Sequence, residues 1–456
     1  MKHTARIFSA AAVALGLLFC HLHADAQMRR PNIVIIVADD MGYGDIGIHG
    51  SKDIPTPNID SLAKAGIRFT DAYVTGPYCS PTRAGLMTGK YPQRFGHEFN
   101  IGMAAEHADV GLPTNETTMA DRLRAAGYRT AVFGKWHLGS APRFHPMERG
   151  FDEFFGFLQG AHSYMSPRPN DVNPLYDGKK TVTEPGYLTD VLADRAVEYI
   201  NRNRTQPFFL YLAFNAVHVP LQATEKYLKR FEQIPDERRR TYAAMLSAMD
   251  DGIGKTLAAL DDNTLVFFFS DNGGPTTVGG VNGSSNAPLK GSKRTTWEGG
   301  IRVPFIIKWK GHLAAGKIYS QPMIQLDVLP TALAAAGVKL DPRSNLDGVN
   351  LLPFLAGKRS GRPHETLYWR LGGLMAIRKG DWKLVRMSDE GFHQDPTPLT
   401  DLAMLELYNL KDDIGETNNL ASKQPKKVKE LADEWTLWTK GLSKPGWEAP
   451  RPMPGS

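Results

Sequence analysis

Asn32-Ile33-Val34-Ile35-Ile36-Val37-Ala38 is a run of almost wholly apolar residues, and Asp39 and Asp40 follow it directly. A short, continuous apolar run is typical of a strand that is buried on both faces, as in a parallel sheet. Ligands bind beyond the carboxyl ends of the strands in such sheets. The two carboxylates therefore predict a functional site at this edge of the sheet.

Three further apolar runs end in polar residues in the same way. Thr130–Gly134 leads into Lys135-Trp136-His137, Pro207–Phe214 into Asn215-Ala216-Val217-His218, and Thr264–Ser270 into Asp271-Asn272-Gly273-Gly274. Taken alone, each polar group is also what a turn or a helix N-cap requires. Four strands that bring Asp, Lys, His and Asn to one edge favour a single site.

Helical patterns alternate with these runs, over Pro57–Ala65, Thr118–Ala126, Leu188–Asn201 and Arg240–Ala259. Strands that alternate with helices predict an α/β fold with a large central, mostly parallel sheet sandwiched by helices. The length of 456 residues allows a smaller second unit as well.

The pattern changes after Phe354. Short strands are predicted at Leu367–Trp369, Leu374–Ile377, Lys383–Arg386 and Leu407–Leu410, followed by a helix at Gln424–Lys440. This order predicts a C-terminal α+β subdomain with a short antiparallel sheet and one helix. We expect a catalytic domain over residues 27–360 and this subdomain over residues 361–456.

The first 26 residues have the organisation of a signal peptide. Lys2 and Arg6 precede an apolar stretch over residues 7–19, and Ala24-Asp25-Ala26 forms a small-x-small cleavage site. A lipoprotein acylated at Cys20 is disfavoured because bulky Phe19 precedes it. No later segment has the length and apolarity of a membrane span. The sequence therefore predicts an exported protein, periplasmic or extracellular.

The charge distribution argues against a nucleic-acid partner. The formal net charge is +6, but basic residues are interleaved with acidic ones, and the densest basic run, residues 238–240, follows Asp236-Glu237. A mild positive balance is compatible with anionic substrates.

Cys79 is the one cysteine of the expected mature chain, so an internal disulfide is excluded. It begins the sequence Cys79-Ser80-Pro81-Thr82-Arg83. Ser80 fits a helix N-cap and Pro81 the first helical position, which would put Cys79 at a helix N-terminus that favours anions. The alternative is a small buried apolar side chain.

The polar residues at the sheet edge also suggest a chemistry. The hard oxygen donors Asp39, Asp40, Asp271 and Asn272 suit Ca²⁺, with Mg²⁺ as the alternative. Arg83, Lys135 and Lys293 add positive charge that suits a tetrahedral oxyanion, and His137 and His218 are candidates for proton transfer.

These motifs together resemble the type I, formylglycine-dependent sulfatases of the alkaline phosphatase superfamily. The resemblance rests on Asp39-Asp40, Cys79–Gly89, Gly134–His137 and Asp271–Gly274 in this order along the chain. It implies that a formylglycine-generating enzyme converts Cys79 to formylglycine (3-oxoalanine). The hydrated aldehyde would attack sulfur and release the alcohol, and the resulting sulfo-enzyme would release sulfate by elimination.

The resemblance also implies roles for individual residues. Ca²⁺ would be held by Asp39, Asp40, Asp271, Asn272 and residue 79. Arg83 and Lys135 would stabilise the modified residue, and His137 would be the base that releases sulfate. His218 would protonate the leaving alcohol, with Lys293 and Lys135 on the sulfate. Lys290 is assigned to the surface.

The implied substrate is a sulfated mono-, oligo- or polysaccharide. The expected pocket loops are Gly156–Asp177, Gly279–Ala287 and Tyr368–Leu371. His162 is a candidate for contact with a sugar hydroxyl, or else a packed loop histidine. Trp369 and Arg370 either reach the pocket or serve strand pairing. The sequence leaves the sugar and the sulfated position open.

Two other functions stay open at this point. The first is a phosphodiester or phosphonate ester hydrolase of the same superfamily, since these esters are also tetrahedral oxyanions. The second is an inactive relative that binds an oxyanion or a glycan, which the complete set of proton-transfer groups disfavours. A thiol redox protein is excluded by the lack of a resolving cysteine.

Overall fold

A ten-stranded mixed sheet forms the centre of the computed structural model, which describes residues 30–102, 108–165, 173–183, 186–277, 281–387, 399 and 402–449. Twelve strands precede the C-terminal sheet: β1 Asn32–Ala38, β2 Ile67–Phe69, β3 Ala72–Tyr73, β4 Arg129–Lys135, β5 Glu153–Phe157, β6 Leu175–Asp177, β7 Lys180–Val182, β8 Phe208–Ala213, β9 Thr264–Ser270, β10 Phe305–Lys308, β11 Lys317–Tyr319 and β12 Met323–Ile324.

The strand order of the large sheet is β11-β2-β10-β9-β1-β8-β4-β5-β6-β7. The five strands β9, β1, β8, β4 and β5 are mutually parallel, and antiparallel pairings occur only towards the edges of this sheet in the described residues. Strands β12 and β3 form a separate two-stranded pair. Ala38 lies opposite Ser270, and Ala213 lies opposite both Val37 and Gly134. The carboxyl ends of four strands are therefore nearly level, as the predicted site requires.

Helices cover both faces of this sheet. The α-helices of the described residues are α1 Pro57–Ala65, α2 Cys79–Thr88, α3 Met119–Ala125, α4 Leu188–Arg202, α5 Glu225–Leu228, α6 Glu237–Ala259, α7 Glu298–Ile301, α8 Val328–Ala335, α9 Leu352–Leu355 and α10 Pro425–Thr439. Alternate residues of β1 bury against opposite layers, because side chains of a strand point to alternate faces. Val34 and Ile36 belong to the cluster with α1, α4 and α6, whereas Ile33 and Ile35 belong to the cluster with α2, α3 and α8.

A small antiparallel sheet follows the large one. Its strands are β13 Thr366–Leu371, β14 Leu374–Lys379, β15 Trp382–Arg386 and β16 Leu405–Asn409, in sequence order. One face packs against α10, through side chains such as Ile377 and Trp435. The other face packs against the large unit, through Trp369 and Ala376 against Tyr73 and Leu326.

The predicted fold class is confirmed. Two predicted strands, Asn32–Ala38 and Thr264–Ser270, have the bounds that the structure gives them, and the C-terminal sheet and helix are present. The proposed signal peptide and Cys20 lie outside the described residues. Within the described part of the chain, no helix combines the length and apolarity that a bilayer span requires.

Candidate active site

The site lies at the carboxyl edge of the parallel strands. Asp39 and Asp40 follow β1, Lys135 ends β4, and Asp271 and Asn272 follow β9. Asp40 has a φ of +62°, a left-handed conformation that Asp tolerates better than most residues. This bend lets two successive carboxylates contribute to one cluster, although side chains in a continuing strand would point apart.

Cys79 begins helix α2 and faces these carboxylates. Its Sγ lies 3.4 Å from Asp39 Oδ1 and 4.0 Å from Asp40 Oδ1, and the side chain is fully buried and not in a disulfide. Burial, reinforced by Asp271, raises the pKa of the Cys79 thiol above its ordinary range. A thiolate nucleophile is therefore disfavoured at this position.

The prediction that Ser80 caps helix α2 is wrong. The helix begins at Cys79, with Tyr78 as its N-cap residue, so Pro81 is the third helical residue and not the first. Ser80 Oγ instead donates to the carbonyl oxygen of His137 (2.6 Å) and lies 2.6 Å from His97 Nε2. The hydroxyl of Ser80 thus joins the helix N-terminus to the segment that carries His137.

Three buried cations face the three carboxylates. Lys135 Nζ lies 2.6 Å from Asp39, Lys293 Nζ lies 2.6 Å from Asp40, and the Arg83 guanidinium lies 2.8 Å from Asp271. The groups come from distant parts of the sequence, yet all are at least nine-tenths buried. Pairing each charge with an opposite one offsets the cost of its desolvation.

Two of these carboxyl groups have opposite pKa shifts. Burial alone would raise the pKa of Asp40, but Lys293 and His218 outweigh it and hold the pKa well below its usual range. Burial and the neighbouring Asp39 carboxylate raise the pKa of Asp271 to about 6, despite the Arg83 contact. The charge of Asp40 is therefore well compensated by neighbouring cations, whereas that of Asp271 is not.

The hydrogen bonds of His137 fix its tautomer. Its Nε2 lies 3.0 Å from the carbonyl oxygen of Ile101, and a carbonyl can only accept, so Nε2 carries the proton. Its Nδ1 is buried and has no hydrogen-bond partner among the described residues. Burial and Lys135 lower the pKa of His137 well below its ordinary value. His137 is therefore a neutral imidazole with an unused acceptor nitrogen.

His218 has the opposite tautomer, with the proton on Nδ1. Its Nδ1 donates to the carbonyl oxygen of Val219 (2.6 Å), and its Nε2 lies 3.6 Å from Asp40 Oδ2. Tyr164 Oη donates to the His218 carbonyl oxygen over 2.8 Å and fixes the backbone there. Burial lowers the pKa of His218 to about 3, even though Asp40 favours the protonated form.

The donor set fits a hard divalent cation. One ligand atom from each of Asp39, Asp40, Cys79 and His218 lies within 4.8 Å of the others. Asn272 Oδ1 is also buried without a hydrogen-bond partner, whereas its Nδ2 donates to Asp40 Oδ1 (2.7 Å). Ca²⁺ binds amide carbonyl and carboxylate oxygens, so an ion here would give this buried oxygen a partner. Asp271 is turned towards Arg83 and is not in the compact group, so its predicted role as a ligand stays a prediction.

Comparison with known proteins places this arrangement in a family. The profile of the family described as Sulfatase matches residues 31–338, and that of N-sulphoglucosamine sulphohydrolase, C-terminal, matches residues 291–437. The chain belongs to the sulfatase family. It is therefore a sulfuric ester hydrolase by family, as the resemblance implied.

Individual relatives of this sulfatase span most of its length. Human N-acetylgalactosamine-6-sulfatase is 36% identical over 423 residues, which cover 85% of this chain and 79% of the relative. Human arylsulfatase A is 34% identical over 444 residues, covering 87% and 84%. The crystal structure of Ps i-CgsB in complex with k-i-k-neocarrahexaose has a TM-score of 0.84 and 38% identity, covering 92% of this chain and 95% of that one.

Sequence analysis missed several side chains that shape the sulfatase site. Asn282 Nδ2 is buried and donates to the carbonyl oxygens of Asp40 (3.1 Å) and Val217 (3.0 Å). Asn100 accepts the backbone N–H of Ser80 (2.8 Å), and Tyr211 Oη accepts from Arg83 (3.3 Å). These contacts join residues more than a dozen positions apart, and no local pattern signals them.

Four residues singled out from the sequence lie outside this cluster. His162 is buried, with its ring 5.0 Å from that of Phe157, so its contact with a sugar stays a prediction. Trp369 is buried between the two sheets, and Arg370 pairs with buried Glu98 at 2.6 Å. Lys290 is partly exposed and lies 4.3 Å over the Trp297 ring. The loops at 156–177 and 279–287 are described only in part.

Proposed function

We propose that this sulfatase is exported and removes sulfate from a sulfated carbohydrate, using formylglycine at position 79 and Ca²⁺. The observation that carries the proposal is the convergence of Asp39, Asp40, Cys79 and His218 within 4.8 Å, flanked by buried cations. The relatives support the substrate class, because one is named for a sulfated amino sugar and another was crystallised with a neocarrahexaose.

The residues present would hold both groups. Asp39, Asp40, Asn272 and residue 79 would ligate Ca²⁺, with Asp271 as a further ligand. When bound, the ion supplies positive charge to the nucleophile and to a sulfate oxygen, and hydrated formylglycine supplies the nucleophilic hydroxyl that a buried thiol does not. Arg83 would hold Asp271 and the end of β4 in position, since it donates to Asp271 (2.8 Å) and to the carbonyl oxygen of Lys135 (3.0 Å).

We assign the binding of the sulfate group to the two lysines. Lys135 and Lys293 lie against Asp39 and Asp40 at 2.6 Å, so both ammonium groups border the space where residue 79 reacts. A divalent cation on the carboxylates would free the two ammonium groups to face the anionic ester. With the carboxylates neutralised in this way, the positive charge of Lys135 and Lys293 would be available to the anionic substrate.

The histidine tautomers support the division of proton-transfer roles. His137 presents an unprotonated Nδ1 in the buried site, and we assign to it the acceptance of a proton from the residue-79 hydroxyl. We assign to His218 Nε2 the donation of a proton to the leaving alcohol. An anionic sulfate ester near Lys135 and Lys293 counters the two cations that help to lower the pKa of His218, and so favours its protonated form.

Initial rates on a substrate panel test this function. The panel comprises a nitrophenyl sulfate, a nitrophenyl phosphodiester, a phosphonate monoester and a series of sulfated saccharides. We expect release of inorganic sulfate from at least one saccharide at a kcat/KM above that for the phosphodiester and the phosphonate. His218→Asn should lower kcat on a sugar sulfate more than on nitrophenyl sulfate, because nitrophenolate needs little protonation to leave. Faster phosphodiester or phosphonate turnover would overturn the proposal in favour of the alternative ester hydrolase.

Export is tested separately from catalysis. The full-length chain should yield a mature protein that begins at Gln27 in the periplasm or the medium. Recovery of activity only in the cytoplasm, with an intact N-terminus, would contradict the proposed location.

A further inference from the structure

Arg294 is an arginine without an anionic partner beside the site. Its backbone has a φ of +73°, a left-handed conformation that is uncommon for residues other than glycine. The side chain is only partly exposed, and its Nε is buried without a hydrogen-bond acceptor. In the described part of the chain, no carboxylate forms an ion pair with its guanidinium.

Three buried arginines of the protein contrast with the partly exposed Arg294. Arg83 faces Asp271 at 2.8 Å, Arg302 faces Glu298 at 3.0 Å, and Arg370 faces Glu98 at 2.6 Å. Each of these has an internal acceptor that offsets its desolvation. A buried donor left without an acceptor is energetically costly. An external acceptor would remove this cost at Arg294.

The surroundings hold Arg294 at the rim of the reaction site. Its backbone N–H donates to the carbonyl oxygen of Pro77 (2.8 Å), and its guanidinium carbon lies 5.3 Å from the centre of the Tyr78 ring. Lys293 Nζ lies 5.7 Å from the same ring and reaches Asp40. Tyr78 immediately precedes Cys79. The two successive cations therefore flank one aromatic ring, and only Lys293 has a carboxylate partner.

We propose that Arg294 binds a second anionic group of the substrate, next to the sulfate that is removed. The inference rests on the proposed function, since it takes the sulfated saccharide as given. It assigns as preferred substrates saccharides that carry another sulfate or a uronate carboxylate close to the scissile ester. A planar guanidinium donates two parallel hydrogen bonds to either oxyanion.

Calorimetric binding to a Cys79→Ser background tests this assignment without requiring turnover. Three disaccharides of the same backbone serve as ligands: one monosulfated and neutral otherwise, one disulfated, and one monosulfated with a uronate. The parent should bind the two doubly anionic ligands more tightly. Adding Arg294→Gln should weaken their binding about 10- to 100-fold, as loss of a charge-assisted contact implies. Arg294→Lys should recover part of the loss.

Lys290→Gln is the matched control, because Lys290 is a neighbouring cation that already has Glu406 at 3.6 Å and the Trp297 ring as partners. It should leave the preference for doubly anionic ligands unchanged. A selective loss with the disulfated ligand only, or with the uronate only, identifies which oxyanion Arg294 binds. Equal weakening of all three ligands by Arg294→Gln, or a parent without any preference, would overturn the inference.

The turnover panel distinguishes failure of this inference from failure of the proposed function. If wild-type protein releases sulfate but Arg294→Gln changes the ratio of kcat/KM to the monosulfated saccharide neither for the disulfated saccharide nor for the uronate, only the Arg294 assignment is wrong. If wild-type protein with a modified residue 79 releases no sulfate from any saccharide, the proposed function fails, and the binding data still decide the role of Arg294.

Discussion

Ser80 donates its hydroxyl proton to the carbonyl oxygen of His137 across 2.6 Å, a contact between residues 57 positions apart in sequence. The same oxygen of Ser80 lies 2.6 Å from His97 Nε2. Because the Ser80 proton is committed to a carbonyl, His97 must be the donor in that second contact. Burial lowers the pKa of His97 to about 3, which keeps it a neutral donor. Ser80, next to Cys79 in the chain, therefore helps to fix the position of the His137 backbone.

Ser80→Ala is expected to reduce kcat about 3- to 10-fold with KM little changed. The variant loses both contacts of the Ser80 hydroxyl. The lost hydrogen bond to His137, worth roughly 0.5–1.5 kcal/mol, acts on the placement of His137 and not on substrate binding. Steady-state kinetics on a sulfate ester check this, with the extent of residue-79 modification measured in each preparation. A change confined to KM would contradict a positioning role.

Gly160→Ala is expected to displace the His137 ring. A Cβ at position 160 would come 2.8 Å from His137 Cε1, which is closer than packed side chains allow. The ring must move, so kcat should fall about 10-fold or more, while the melting temperature changes little because the ring can yield. Gly441→Ala is the control, since the nearest atom to its added Cβ is 3.7 Å away. Equal kcat values for the two variants would show that the His137 position is unimportant.

Asn272→Ala is expected to weaken Ca²⁺ binding. Asn272 Oδ1 is buried without a protein partner, so it is the atom that gains most from an ion. After chelation with EDTA, adding Ca²⁺ should raise the melting temperature of the parent, since saturation at 100 times Kd stabilises by about 2.7 kcal/mol. The midpoint of this rise should move to higher Ca²⁺ in the variant. Asn201→Ala, at an exposed position of α4, should behave like the parent.

The location of the site was predictable because it depends on a local pattern. Each central strand is a short apolar run that ends in a polar residue, and parallel strands bring those ends together. Asp39, Asp40, Lys135 and Asp271 were found in this way. Arg83 and Lys293 lie on a helix and a loop, outside this strand pattern. They were proposed as positive charge for an oxyanion, and the family resemblance gave their individual roles.

The remaining contacts depend on tertiary structure. Ser80 followed by Pro81 has the local pattern of a helix start. Instead, Asn100 accepts the Ser80 N–H, the His137 carbonyl accepts its hydroxyl proton, and His97 donates to its hydroxyl oxygen. Asn282 lies in a Gly- and Ser-rich loop that indicates only a turn. The antiparallel pairings away from the parallel centre of the sheet, such as β10 between β2 and β9, depend on tertiary contacts that no local pattern indicates.

His364 is expected to make stability depend on pH. Burial disfavours its charged form, but Asp327 at 2.7 Å outweighs burial and raises the pKa of His364 above 6.5. A raised pKa in the folded state stabilises the protein below pH 6.5, and this contribution is lost as pH rises through the folded-state value. His364→Gln should therefore lower the melting temperature more at pH 5.5 than at pH 8.5.

The control for this measurement is His312→Gln, because His312 is exposed and stacks on Trp309. It should show no such difference between the two pH values. A larger effect of His364→Gln at pH 8.5 would reverse the expected sign and contradict the ion pair.

Peptide mass mapping of residue 79 in protein that releases sulfate tests the central claim most directly. Trypsin cleaves after Arg68 and Arg83, so residue 79 falls in the peptide Phe69–Arg83. We predict the mass of an aldehyde at position 79, in a fraction of molecules that rises in proportion to specific activity across preparations. Full activity in protein whose residue 79 is only an unmodified thiol would contradict the account.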